Sequence, residues 1–230
     1  MIPLKDTTPR NSFPFITVLL IIVNFVVFFH QISLPPHAAD AFIRLYGLVP
    51  SRIQLALAGR HFTLAQAFVP LLTCMFLHGG WLHIIGNMWF LWIFGGNVED
   101  RMGSAAYLAF YMICGIGSGI SQVAFSWGSA IPSIGASGAI CGVLGAYLVY
   151  FPTSRILSLV PLLVIWFMAR IPAWIFTGLW FIVEFLSGLG SLATAASGGI
   201  AWWAHVGGFL LGAVLAKPFA PSSRRAVSAW

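Results

Sequence analysis

Apolar residues in this chain come in long runs, separated by short clusters of Pro, Gly and charge. A membrane-spanning helix needs about 20 apolar residues, fewer where it is short or deeply packed. Six segments meet that need, at about 15–32, 82–96, 105–126, 136–151, 172–189 and 200–217. A seventh run, ILSLVPLLVIWFMA at 156–169, lies between Arg155 and Arg170 and contains Pro161. Its fourteen residues are short for a span, so it reads as an interfacial or re-entrant element. The fold class is an all-α polytopic membrane protein: a bundle of six transmembrane helices with a long external first loop. The organisation is an N-terminal tail at 1–14, one membrane domain at 15–217 and a C-terminal tail at 218–230.

Composition supports this and removes other classes. The chain is 60% hydrophobic and 7% charged, with a mean hydropathy of +0.94; a soluble domain carries about 25% charge. The net charge of +6 raises the question of nucleic acid. Its eleven basic residues are scattered between apolar runs, however, and form no basic patch, so no nucleic-acid partner is expected. The positive-inside rule explains them better. With a cytoplasmic N-terminus, Lys5, Arg10, Arg101, Arg155, Arg170, Lys217, Arg224 and Arg225 lie inside, against Arg44, Arg52 and Arg60 outside. Both termini are therefore expected in the cytoplasm, and the loop of about fifty residues after the first span outside. That loop reads as a substrate-facing cap or a membrane-surface element. The first apolar run lacks a small-residue cleavage site and reads as a retained helix. With no transit-like presequence, a bacterial inner membrane is expected. Cys74, Cys114 and Cys141 form neither an even disulfide set nor a Cys-x-x-Cys metal pattern, and no metal is expected.

In this topology spans two, four and six all enter from the outside, so their N-terminal ends lie at one depth. Span two brings His83 and Asn87, in WLHIIGNMWF, four residues apart on one helix face. Span four brings Ser137, in SIGASGAICG, and span six brings His205, in AWWAHVGGFLLG. His83 or Asn87 alone reads equally as interhelical glue, worth about 0.6 kcal/mol on average, and Ser137 alone reads more often as a packing residue. Gly138 with Gly142, and Gly208 with Gly212, form small-xxx-small faces that let spans four and six approach. That closeness is also what a Ser–His hydrogen bond requires. A serine is a poor nucleophile until a base takes its proton, and His205 is the histidine placed to do so. The acids Asp6, Asp40, Glu99, Asp100 and Glu184 leave no carboxylate near His205, which points to a dyad. The Ser137 backbone N–H, Asn87 and His83 could then stabilise an oxyanion.

These residues resemble the motifs of the rhomboid intramembrane serine proteases. The resemblance lies in His-x-x-x-Asn (His83, Asn87), Gly-x-Ser-Gly (Gly135, Ser137, Gly138) and Ala-His-x-x-Gly-x-x-x-Gly (Ala204, His205, Gly208, Gly212). HGGWLHIIGN and the short turn FGGNVEDRMGS, similar to the family's second loop, extend it over about 70–215. It implies a six-helix core that cleaves peptide bonds in or near transmembrane segments of other membrane proteins. It also implies a water-admitting cavity and no cofactor. By that likeness Ser137 is the nucleophile, His205 the general base and then acid, His83 and Asn87 the oxyanion pair, and His78 the preceding loop histidine. The fifth span corresponds to the helix beside a lateral gate.

Three departures stand out. The Trp-Arg pair of many members is replaced near Phe68 and Val69. Cys141 stands where some members stack a tyrosine on the catalytic histidine, which leaves the orientation of His205 to something else. Glu184 lies mid-span, read either as a protonated acid bonded to a neighbouring helix or as a pH-sensitive latch. Other classes fit less well. A metalloprotease lacks His-Glu-x-x-His, and an aspartyl protease lacks spanning aspartates. A transporter using Asn24, Gln122 and Glu184 lacks repeated halves. The runner-up is an inactive rhomboid relative that binds membrane-protein clients.

Overall fold

The computed structural model describes residues 1–162, 165–194 and 201–220. Helix α1 (Phe15–Ser33) follows Pro14 and stops before Pro35 and Pro36, where ring geometry forbids continuation. Its buried residues Thr17, Leu20, Asn24, Phe28 and Gln31 recur every three or four positions, so one face packs inward. Leu19, Ile22, Val26 and Phe29 face out, as lipid contact requires. Pro14 offers no side chain to cap the helix. Glu99 does so instead, accepting from the N–H groups of Ile16 at 2.9 Å and Thr17 at 2.8 Å.

The long external loop is helical over much of its length. It holds α2 (Pro36–Tyr46), α3 (Pro50–Leu57), α4 (Leu64–Phe68), α5 (Pro70–Thr73) and a 3-10 turn at Cys74–Phe76. Proline opens three of these helices, where its missing N–H costs nothing, and Thr63 with Gln66 forms a capping box on α4.

Helix α6 (Trp81–Phe90) continues through a π-helical turn at Leu91–Gly95 into α7 (Gly96–Met102). The segment read as a short turn, FGGNVEDRMGS, is thus largely helix. Gly95 and Gly96 both keep helical backbone angles, and the break comes at Gly103, where φ is +85°. Helices α8 (Ser104–Phe125), α9 (Ser137–Tyr150), α10 (Ala173–Thr194) and α11 (Trp202–Phe219) complete the helical set. Among the described residues three helices, α1, α8 and α10, are long and apolar enough to cross a membrane. A bent pair, Leu64–Phe76 with Trp81–Met102 at 78°, makes a fourth if counted as one span.

The all-α expectation needs correction at one end. Strands β1 (Ile2–Asp6), β2 (Arg155–Leu162) and β3 (Ile165–Pro172) form an antiparallel sheet in the order β1-β2-β3. The run at 156–169 is therefore most of a hairpin, with Arg155 opposite Pro172 and Leu157 opposite Arg170. A short apolar run cannot be assigned by periodicity, and Pro161 disfavours a helix. Pro161 is tolerated because β1 pairs only with Ile156–Leu159, which among the described residues leaves that part of β2 without a second strand neighbour. The N-terminal tail thus carries β1, while 221–230 of the C-terminal tail lies outside the described residues, as does Ile200 at the start of the sixth predicted span.

Helix α9 is the centre of the bundle. Ten of its fourteen residues are buried. A Cβ at Gly208 would meet the carbonyl of Gly138, and one at Gly212 the backbone of Gly142. Helices α9 and α11 therefore approach backbone to backbone, as small residues permit.

Candidate active site

Ser137 is the first residue of α9. It follows Gly135, whose φ of +124° suits glycine, and Ala136 at the cap position. As a first-turn residue, Ser137 has a backbone N–H with no acceptor within its own helix. The Gly135 N–H donates to the Cys74 carbonyl at 2.9 Å, which ties this turn to the base of the external loop.

His205 lies in the first turn of α11, and α8 holds that turn in place. Ser121 Oγ donates to the Trp203 carbonyl at 2.8 Å, and Gln122 Oε1 accepts from the Ala204 N–H at 3.1 Å. His205 Nε2 is 2.7 Å from Ser137 Oγ. Its other ring nitrogen, Nδ1, is 2.6 Å from Glu184 Oε2 on α10. The rings of Trp180 and Trp202 flank it at 6.2 and 6.3 Å.

The expectation that no carboxylate lies near His205 is therefore overturned. Glu184 comes from the middle of an antiparallel neighbour, and the signal for it was in the sequence. It stands five residues before the end of the span at 172–189, and His205 five residues into the span at 200–217. Consecutive antiparallel helices bring such positions to one depth.

Across from this pair, His83 Nδ1 accepts the Gly79 N–H at 3.3 Å. A neutral imidazole that accepts at Nδ1 carries its proton on Nε2. That Nε2 lies 2.7 Å from where a Cβ of residue 135 would stand, and Asn87 Nδ2 lies 3.6 Å from the same point. Two donors thus converge on the turn before Ser137, and any side chain at 135 would displace the His83 ring. Asn87 Nδ2 also donates to His78 Nε2 at 3.0 Å. The loop histidine is buried, its ring 5.0 Å from that of His83.

Gln31, which the sequence pattern did not single out, holds His78 by its backbone. Gln31 Nε2 donates to the His78 carbonyl at 2.6 Å, and Oε1 accepts its N–H at 3.3 Å. Thr17, Asn24 and Gln31 are spaced by seven in an apolar run, and that regularity was the available sign of a polar inward face. Asn24 and Gln122, weighed as a transport path, have local roles. Asn24 donates to its own helix at Leu20, and Gln122 caps α11. Cys141 is buried one turn below Ser137. Among the described residues no cluster of three His, Cys, Asp or Glu side chains is arranged to hold a metal.

A hydroxyl bonded to an imidazole, beside converging N–H donors, is an arrangement for acyl transfer. Comparison with known proteins bears on what it serves. A Rhomboid domain family model matches residues 65–222. Rhomboid protease GluP of Bacillus subtilis (strain 168) is 45% identical over 78 residues, 34% of this chain and 15% of that protein. RHOMBOID-like protein 5 of Arabidopsis thaliana is 42% identical over 79 residues, 34% of this chain and 25% of that protein. RHOMBOID-like protein 4 of the same plant is 27% identical over 233 residues, 90% of this chain and 52% of that protein. The matched segments thus span between 15% and 52% of these relatives' lengths.

Proposed function

Since the chain belongs to the rhomboid family of integral membrane proteins, we propose that it is an intramembrane serine endopeptidase that cuts transmembrane segments of other membrane proteins. The observation that carries this reading is the 2.7 Å contact between Ser137 Oγ and His205 Nε2. Ser137 Oγ attacks the scissile carbonyl carbon while its proton passes to His205 Nε2. The carbonyl oxygen becomes an oxyanion, which takes hydrogen bonds from the Ser137 N–H, His83 Nε2–H and Asn87 Nδ2–H. Collapse breaks the C–N bond, and His205 returns the proton to the leaving amine. A water, deprotonated by His205, then hydrolyses the acyl-enzyme and regenerates Ser137.

The short length of α9 supports an intramembrane site. Its fourteen residues extend about 21 Å, less than a hydrocarbon core of about 30 Å. The helix therefore falls short of one surface, and in the proposed orientation that surface is the outer one, with both termini cytoplasmic. Water for the second step enters from that side. All six helical segments then act as spans, and the helices of the external loop form the rim of the entrance.

The test is proteolysis of a panel of single-span substrates in liposomes, with a serine-reactive fluorophosphonate probe alongside. Cleavage and labelling by the wild type, both lost in Ser137→Ala and His205→Ala, support the reading. A folded, inserted wild type that neither cleaves nor labels while still retaining single-span clients would favour the client-binding alternative.

A further inference from the structure

We infer that Glu184 is a positioning residue for His205, so that the site works as a Ser–His–Glu array in place of a dyad; this rests on the protease reading above. Oxygen Oε2 of Glu184 sits 2.6 Å from His205 Nδ1, while the opposite ring nitrogen faces Ser137 Oγ at 2.7 Å. The two contacts lie on opposite sides of one ring. A carboxylate at Nδ1 keeps the proton there and leaves the Nε2 lone pair for the serine hydroxyl. It also stabilises the imidazolium that forms when Ser137 gives up its proton. Without an acceptor at Nδ1, only the weaker bond from the Ser137 hydroxyl favours the tautomer able to act as a base.

Burial makes the contact specific. The side chains of His205 and Glu184 are 13% and 12% exposed. Among the described residues His205 is the hydrogen-bond partner of the Glu184 carboxylate. A carboxylate held this far from water needs a partner, and the available one is the base itself. The acid is also held in register. Phe181 packs on Phe209 with ring centroids 4.9 Å apart, and Phe185 meets Trp203 edge-on at 6.1 Å. These contacts pin α10 to α11 on either side of Glu184. The positions that resemblance alone left without support for His205, at Cys141 and at the missing carboxylate, are thus answered from the neighbouring helix.

Steady-state kinetics in liposomes test this, using a single-span substrate that the wild type cleaves. The proteins compared are wild type, Glu184→Gln, Glu184→Asp and Ser137→Ala, with thermal unfolding and fluorophosphonate labelling measured on each. The expected result for Glu184→Gln is a fall in kcat of about 10²–10⁴-fold, as for loss of an orienting acid. KM should stay within about twofold, labelling should slow in parallel, and Tm should not fall. Glu184→Asp should recover part of kcat. Glu184→Gln within about threefold of wild-type kcat, beside an inactive Ser137→Ala, would remove the array and leave the protease standing. A loss of activity that tracks a lowered Tm in both Glu184 variants would make the contact merely structural and overturn the inference. Cleavage that survives Ser137→Ala would bring down both readings together.

Discussion

Helix α9 has a polar cluster at each end, and the two are built differently. At its C-terminal end Tyr147 donates to Asp6 Oδ2 at 2.9 Å, and Asn97 donates to the same oxygen. Thr8 Oγ1 bonds to Tyr147 at 3.0 Å and to Ser154 at 2.8 Å. Those hydroxyls and that carboxylate bond one another, and they fasten β1 to the bundle. At the N-terminal end His83 Nε2 and Asn87 Nδ2 converge on the turn before Ser137, whose hydroxyl is already bonded to a base. Both clusters contain a hydroxyl, an amide and a carboxylate, and the N-terminal one adds imidazoles. A cluster whose donors are consumed internally holds the fold together, whereas one that keeps donors in reserve can bind developing charge.

The sharpest way to break this contrast is to remove Ser137. Ser137→Ala should abolish cleavage by about 10⁴-fold or more while leaving Tm close to wild type, as read by substrate cleavage and thermal unfolding. A large stability loss would mean that the N-terminal cluster is structural after all. Next in size is Asn87→Ala, which removes an amide whose second N–H is not taken by His78 and should lower kcat by about 10²–10³-fold with little change in KM. The same substitution leaves His78 without its Asn87 partner, so the kcat-against-KM split is the deciding readout.

At the other end the effects should appear in stability and not in rate. Tyr147→Phe keeps the ring against Phe94 and Phe151 but takes a donor from Asp6. Unfolding should become easier by about 1–3 kcal/mol, with kcat unchanged. The smallest effect is a pH dependence. Burial raises the Asp6 carboxyl above its ordinary 3.8, outweighing the bonds from Tyr147 and Thr8 and the charge of Arg10. A folded-state value above the unfolded one means that protonation favours folding. This contribution is complete below about 3.8 and is lost as pH rises through the elevated value. Wild-type Tm should therefore fall relative to Asp6→Asn between mildly acid and neutral pH, while cleavage by the two proteins stays equal at each pH. A Tm difference that grew as pH fell would reverse the assignment.

Local spacing carried much of this protein into view. Apolar runs mark the helices because backbone groups in lipid must bond within their own segment. His83 and Asn87 share a face because four residues make about one turn. Gly138, Gly142, Gly208 and Gly212 announce a close helix pair because a missing side chain is visible in one dimension. None of these statements requires knowing which helix lies beside which. Tertiary structure decided everything that depends on neighbourhood. It placed Glu184 against His205, Gln31 against His78 across 47 residues, and Asp6 against Tyr147 across 141. It also paired the N-terminal strand with a hairpin whose apolar run is ambiguous by itself. The physical reason is the same in each case. A hydrogen bond between side chains acts over about 3 Å, and only the packing of helices brings residues so distant in sequence within that reach.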